Sequence, residues 1–158
     1  MISLPPHLTS AAIFRIIPQI GKNWKRGISM TQSLEDYLEA IYNVASVEKR
    51  MAQVRDIARS LGVTMPSVVK AIRELMRLGL VTHEPYSGVD LTVKGRRLAR
   101  SVLCRHVLLR NFLVILGVGP RNADRDACMM EHVVSAETLD RIRVFVDAAG
   151  KGGKGRPL

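Results

Sequence analysis

Aromatic residues are scarce in this chain of 158 residues: Phe, Trp and Tyr make up 4%. That argues against a base-stacking RNA platform, which needs exposed rings. There are two cysteines, Cys104 and Cys128, and they form no Cys-x-x-Cys pair. Neither a disulfide framework nor a zinc ribbon is indicated, and a reducing, cytoplasmic setting fits. No run of about 18 apolar residues occurs, so neither a transmembrane helix nor a membrane partner is expected. Acids are outnumbered, with 14 Asp plus Glu against 24 Lys plus Arg and a net charge of +10. Hydrophobic residues reach 47%, too many for a disordered basic tail. The length suits one domain or two small ones. An anionic partner is implied, although net charge alone does not separate nucleic acid from membrane.

The charge is distributed in blocks. Residues 1–29 carry Arg15, Lys22, Lys25 and Arg26 and no acid, for +4. Residues 30–48 carry Glu35, Asp36, Glu39 and Glu48 and no base, for −4. Residues 49–77 set seven bases against Asp56 and Glu74, and residues 93–117 hold six bases and no acid. Solubility alone gives little reason for such blocks.

Residues 1–29 are punctuated by Pro5, Pro6, Pro18, Gly21 and Gly27, and read as a loose arm or an over-called start rather than a signal peptide. From Ser33 the pattern is helical: Leu34, Leu38, Ile41, Tyr42 and Ala45 share one face. Val54, Ile57, Ala58 and Leu61 mark a second helix that Gly62 stops. Thr64 caps a third, with Pro66 tolerated in its first turn. Val68, Ile72, Leu75 and Met76 form its apolar stripe, and Pro66, Lys70, Arg73 and Arg77 lie opposite. Leu80–Glu84 and Val89–Thr92 flank Pro85-Tyr86-Ser87-Gly88, a hairpin signal. Thr92 caps a long helix over about 93–116. Two short helices are predicted over about 122–133 and 136–148, the latter capped by Ser135. The Gly- and Lys-rich stretch 150–158 reads as a disordered tail.

Three helices, a tight Gly62-Val63-Thr64 turn and a hairpin describe a winged helix-turn-helix, in which the third helix enters the DNA major groove. Thr64, Pro66, Ser67 and Lys70 are placed to meet base edges. Arg73 follows on the same face. Arg55 and Arg59 on the second helix, with Tyr86 at the wing tip, are candidate phosphate contacts. A solvated basic helix face is the plainer reading, and the turn spacing plus the hairpin favour DNA over it.

Asp36 and Glu39 are neighbours on the first helix and point away from the three-helix core. Taken alone they read as solvated acids, with Ser33-x-x-Asp36 forming a capping box. Cys128, Glu131 and His132 converge on one face of a later helix, and thiolate, carboxylate and imidazole together suit a divalent transition metal. His106 supplies a further imidazole.

At these residues the chain resembles the diphtheria toxin repressor family of metal-dependent regulators, in particular its short manganese transport regulators. Ser33-Leu34-Glu35-Asp36-Tyr37-Leu38-Glu39 is similar to that branch's first-helix motif. Arg105-His106 is similar to the family's fourth-helix histidine, and Asp126 to Ser135 to its second ligand cluster. The resemblance covers about residues 31–149. It implies a mainly α fold: a winged helix-turn-helix domain over 30–95, then a small all-helical dimerisation and metal-binding domain over 96–149. It also implies a homodimer, and no counterpart of the long regulators' SH3-like third domain. The implied ligands are Asp36, Glu39, His106, Cys128, Glu131 and His132.

The chain departs from the family in one important place. Manganese regulators usually carry Glu where this chain has Cys128, whereas the iron-responsive branch carries Cys there but Met where this chain has Asp36. Arg110 replaces an acid of the iron branch's ancillary site. Mn(II) is the expected ion, and the softer thiolate brings in Fe(II), Co(II) and Zn(II). The expected function is a metal-dependent repressor of metal-uptake genes. An ion held by both domains would fix the angle between them, with the two recognition helices of a dimer about 34 Å apart on a palindromic double-stranded operator. A metal-independent winged-helix regulator is the rival. An enzyme using Cys128 is disfavoured, because no Gly-rich nucleophile turn surrounds it.

Overall fold

The computed structural model describes residues 30–48, 50–84 and 87–151. The expected N-terminal arm and the tail beyond Lys151 lie outside the described residues. The described residues fall into two compact units, 30–101 and 102–151.

The first unit opens with α1 (Gln32–Glu48), α2 (Val54–Leu61) and α3 (Met65–Arg77). Helix α1 packs on both α2 and α3. Leu38, Ile41, Ile57, Val68, Ile72 and Leu75 are buried between them. At roughly 1.5–3 kcal/mol for each large apolar side chain taken out of water, this cluster is the main support of the trihelical core. Ala71, not Met76, completes the buried stripe of α3; Met76 is exposed.

Gly62 ends α2 with φ of 65°. Val63 N–H donates to Ala58 O at 3.1 Å and Gly62 N–H to Arg59 O at 3.4 Å, a left-handed cap that favours glycine. The chain then needs only Val63 and Thr64 to start α3. Strands β1 (Val81–Glu84) and β2 (Gly88–Leu91) pair antiparallel, with Val81 opposite Leu91 and Glu84 opposite Gly88. Ala52 bridges Val89, so the loop before α2 is tied to the hairpin.

Helix α4 (Val93–Ile115) follows at once. Thr92 caps it as expected: Gly95 N–H donates to Thr92 Oγ1 at 3.0 Å, and that hydroxyl donates to Gly79 O at 2.8 Å. A Cβ on Gly95 would lie 1.8 Å from Leu80 O, so the start of α4 packs on the chain leaving α3 only because residue 95 has no side chain.

The second unit comprises α4 from Val102 onward, α5 (Pro120–Met130) and α6 (Ala136–Lys151). Val102, Val107, Leu109, Ala123, Ala127, Leu139 and Val146 are buried in it. Phe112 meets Phe145 edge to face, with ring centroids 5.7 Å apart. Ser135 caps α6, accepting from Thr138 N–H at 3.3 Å. The unit is all helical among the described residues. Helix α6 runs to Lys151, so the first residues of the expected tail are helical.

Candidate metal centre and nucleic-acid interface

The candidate DNA-reading surface is built on α3 and the turn before it. Thr64 stands at the N-cap in extended conformation, and its carbonyl accepts from Val68 N–H at 3.2 Å. Its hydroxyl does not cap the helix. It meets Ser67 Oγ at 3.0 Å instead, which preorganises two hydroxyls at the helix start. Thr64, Pro66, Ser67, Lys70 and Arg73 are all exposed, on the side opposite the buried stripe. Among the described residues neither Lys70 nor Arg73 is engaged in an ion pair.

Arg77 differs. Its guanidinium meets Glu74 at 2.6 Å; that hydrogen bond raises the Arg77 pKa and holds the Glu74 carboxyl below its ordinary value. The pairing offsets the Arg77 charge. Arg55 and Arg59 are exposed on α2, with Arg59 Nη1 3.7 Å from Asp56 Oδ1. Tyr86 lies outside the described residues. Met65, between Thr64 and Pro66, is 54% exposed. It is absent from the expected base-reading set, yet an apolar side chain at the start of a recognition helix suits a thymine methyl.

The candidate metal ligands sit in both units. In the first, Asp36 and Glu39 lie on α1. Glu39 is 1% exposed, which corrects the solvated-acid reading. The capping-box reading also falls. Helix α1 begins at Gln32, and Thr31 O accepts from Leu34 and Glu35 N–H at 3.0 and 3.2 Å. Ser33 is therefore inside the first turn.

In the second unit, three of the expected residues come together. Glu131 is fully buried, at 0% exposure. Its Oε2 stands 3.2 Å from His106 Nδ1 and its Oε1 3.4 Å from His132 Nε2. Neither carboxylate oxygen makes a hydrogen bond. Glu131 and His132 lie past the end of α5 rather than on its face, as was expected. The helix closes at Met130, with Glu131 as its cap residue, and Val133 and Val134 N–H both donate to Met130 O at 3.0 Å. Cys128 is half-buried in the last turn of α5 and forms no disulfide.

Among the described residues no three His, Cys, Asp or Glu side chains stand ready to hold an ion as they are. What exists is a set of contacts centred on Glu131. A carboxylate removed from water without hydrogen bonds costs several kcal/mol unless a cation offsets it. A divalent ion among one carboxylate and two imidazoles meets that need, so the residues fit a metal.

Two family models match the chain: the N-terminal DNA-binding domain of the iron-dependent repressors over residues 29–89, and their metal-binding and dimerisation domain over 92–157. The chain belongs to the iron-dependent repressor family. This is the diphtheria toxin repressor family of the resemblance. The transcriptional regulator MntR of Escherichia coli is 43% identical over 117 residues, which are 74% of this chain and 75% of that one. The HTH-type transcriptional regulator MntR of Geobacillus kaustophilus is 41% identical over 112 residues, 71% of this chain and 79% of that one. The solved manganese regulator SloR matches with a TM-score of 0.64 at 30% identity. That match covers 75% of this chain and 55% of SloR, so the chain spans about half the length of that relative.

This iron-dependent repressor is therefore a metal-dependent transcriptional regulator and not an enzyme. It pairs a DNA-binding domain with one that binds metal and dimerises. No helix among its described residues is long and apolar enough to cross a membrane.

One member of the metal-binding domain's polar cluster has no signature in the sequence. Asp124 Oδ1 lies 3.1 Å from His106 Nε2, and Arg110 Nε lies 3.5 Å from the same oxygen. Nothing in the spacing of 18 residues between His106 and Asp124 signals that contact, which only the packing of α5 against α4 creates.

Proposed function

We propose that this regulator is a Mn(II)-responsive repressor of metal-uptake genes, acting in the cytoplasm as a homodimer on a palindromic DNA operator. The observation that carries the metal reading is Glu131: a fully buried carboxylate, without a hydrogen bond, facing two imidazole nitrogens at 3.2 and 3.4 Å. The likeness to the solved manganese regulator SloR, at 30% identity, and to a solved manganese-dependent transcriptional repressor, at 32%, supports manganese as the ion.

The proposed ligands are Asp36, Glu39, His106, Cys128, Glu131 and His132. The bound ion would supply positive charge that offsets the buried carboxylates. Glu131 and the two imidazoles would be buried donors of the second unit, held out of water by its packing. Exposed Val144, Phe145 and Leu116 supply apolar surface for the dimer. On the DNA side, Thr64, Pro66, Ser67 and Lys70 read bases. Arg55, Arg59, Arg73 and Tyr86 contact the backbone. Metal and operator affinities are reciprocally linked.

A mobility-shift titration in chelator, then with each of Mn(II), Fe(II), Co(II) and Zn(II), tests the proposal. Operator binding is expected to be lost in chelator and restored by Mn(II). Equal affinity in chelator and in every metal would overturn the switch and favour a metal-independent regulator. Cys128 favours a second reading, an Fe(II)-responsive regulator, because a thiolate is a softer ligand than the carboxylate Mn(II) prefers. In that case Fe(II) restores binding at lower concentration than Mn(II), and Cys128→Glu reverses the order.

A further inference from the structure

We propose that Asp124 is the positioning residue of the metal centre, fixing His106 so that Nδ1 is the nitrogen offered to the ion. The inference rests on the reading of His106 and Glu131 as ligands. His106 is buried on α4, with its two ring nitrogens turned toward two different carboxylates. Nε2 lies 3.1 Å from Asp124 Oδ1 and Nδ1 lies 3.2 Å from Glu131 Oε2.

A carboxylate accepts and does not donate, so the Nε2–H donates to Asp124. In the neutral ring the lone pair then sits on Nδ1, directed to the Glu131 side, as metal ligation requires. His132 turns its Nε2, not its Nδ1, toward the same carboxylate. The two imidazoles therefore use different nitrogens, and the choice at His106 is set by Asp124. Arg110 follows His106 by one turn of α4, and its Nε approaches Asp124 Oδ1 at 3.5 Å. It pairs with the same carboxylate oxygen that faces His106. With Asp124 held between an imidazole and a guanidinium, it orients a ligand rather than serving as one.

The test uses the full-length chain stripped of metal. Free Mn(II) is followed by electron paramagnetic resonance during titration, and the His106 ring nitrogens by NMR of ¹⁵N-histidine-labelled protein without metal. In wild type the Nε2–H tautomer is expected. Asp124→Ala is expected to mix the tautomers and to weaken Mn(II) binding by about 10- to 100-fold, the usual cost of losing such an outer partner. Asp124→Ser, too short to reach the ring, replaces alanine if that variant does not fold. Asp124→Asn keeps an acceptor oxygen and is expected to restore the tautomer and much of the affinity. Mn(II) binding within twofold of wild type in the alanine or serine variant would overturn the inference, as would an asparagine variant no better than alanine. If wild type itself does not bind Mn(II), the functional reading fails first and the inference falls with it.

Discussion

Asp56 in the first unit and Glu131 in the second are both buried carboxylates, and their surroundings differ. Asp56 in the first unit has a side chain 9% exposed, and its Oδ2 accepts from Arg50 Nη2 at 2.7 Å. That hydrogen bond lowers the Asp56 pKa from its ordinary 3.8 against the opposing effect of burial, and the charges of Arg50, Arg59 and Arg55 add to the lowering. Glu131 in the second unit is more deeply buried, makes no hydrogen bond and faces imidazoles alone. The charge of Asp56 is compensated within the chain and serves the fold. Under the proposed reading, Glu131 instead relies on the bound ion for its compensation. A buried carboxylate is thus informative about function only once its partners are known.

The sharpest way to break this contrast is Glu131→Gln. Operator affinity in Mn(II) is expected to fall toward the chelator value, on the order of 10²-fold if the metal moves the competent state from 1:99 to 99:1. The unfolding midpoint in chelator should be no lower than that of wild type, because a buried charge has been removed. A variant that still answers Mn(II), or that unfolds in chelator, would place Glu131 with Asp56 among the structural acids. His132→Ala should likewise abolish the metal response while leaving the chain folded.

On the DNA side, Lys70→Ala should cost about 1–3 kcal/mol on the preferred operator and relax its sequence preference, whereas Arg59→Ala should weaken all sequences alike and reduce the salt slope by about 1. Competition binding at several salt concentrations separates the two. If both variants behave alike, the division between base-reading and backbone-contacting residues fails.

Asp56→Asn gives the mirror image of the glutamine variant: lower stability at neutral pH with the metal response intact. Because the folded pKa of Asp56 is depressed, its contribution is present above about pH 4 and is lost as pH falls through the folded value. Thermal midpoints of wild type and Asp56→Asn should therefore converge in acid. A gap that stays constant down to low pH would show that the ion pair does not support the fold. The smallest effect belongs to Arg77→Ala, whose exposed pairing with Glu74 should change stability by less than about 1 kcal/mol, as unfolding in urea would register.

The first unit was the more legible of the two in the sequence. Its stops and starts are local chemistry: Gly62 at a left-handed cap, Thr92 and its hydroxyl, a hairpin around Ser87-Gly88. Each depends on residues a few positions apart, so spacing alone reveals it. Ser135 in the second unit was legible for the same reason. Glu39 was misjudged because helical phase says which side a residue takes but not what covers it. The end of α5 was missed because no glycine or proline marks it, and the β-branched Val133 and Val134 continue the helical spacing on paper. Asp124 was invisible because its contact with His106 joins two helices.

The close approach of Gly95 to Leu80 bears on where this protein can be cut. The two family models meet between residues 89 and 92, which invites a chimaera joined at that seam. The physical seam lies further on. Thr92 is hydrogen-bonded to Gly79, Lys94 to Leu78 and Arg96 to Asp90, and any side chain at position 95 would collide with Leu80 O. A transplant of the DNA-reading part should therefore carry the first turns of α4 with it, as far as Ser101. Joined at residue 90, a foreign helix would have to supply, by chance, a bare backbone at one position.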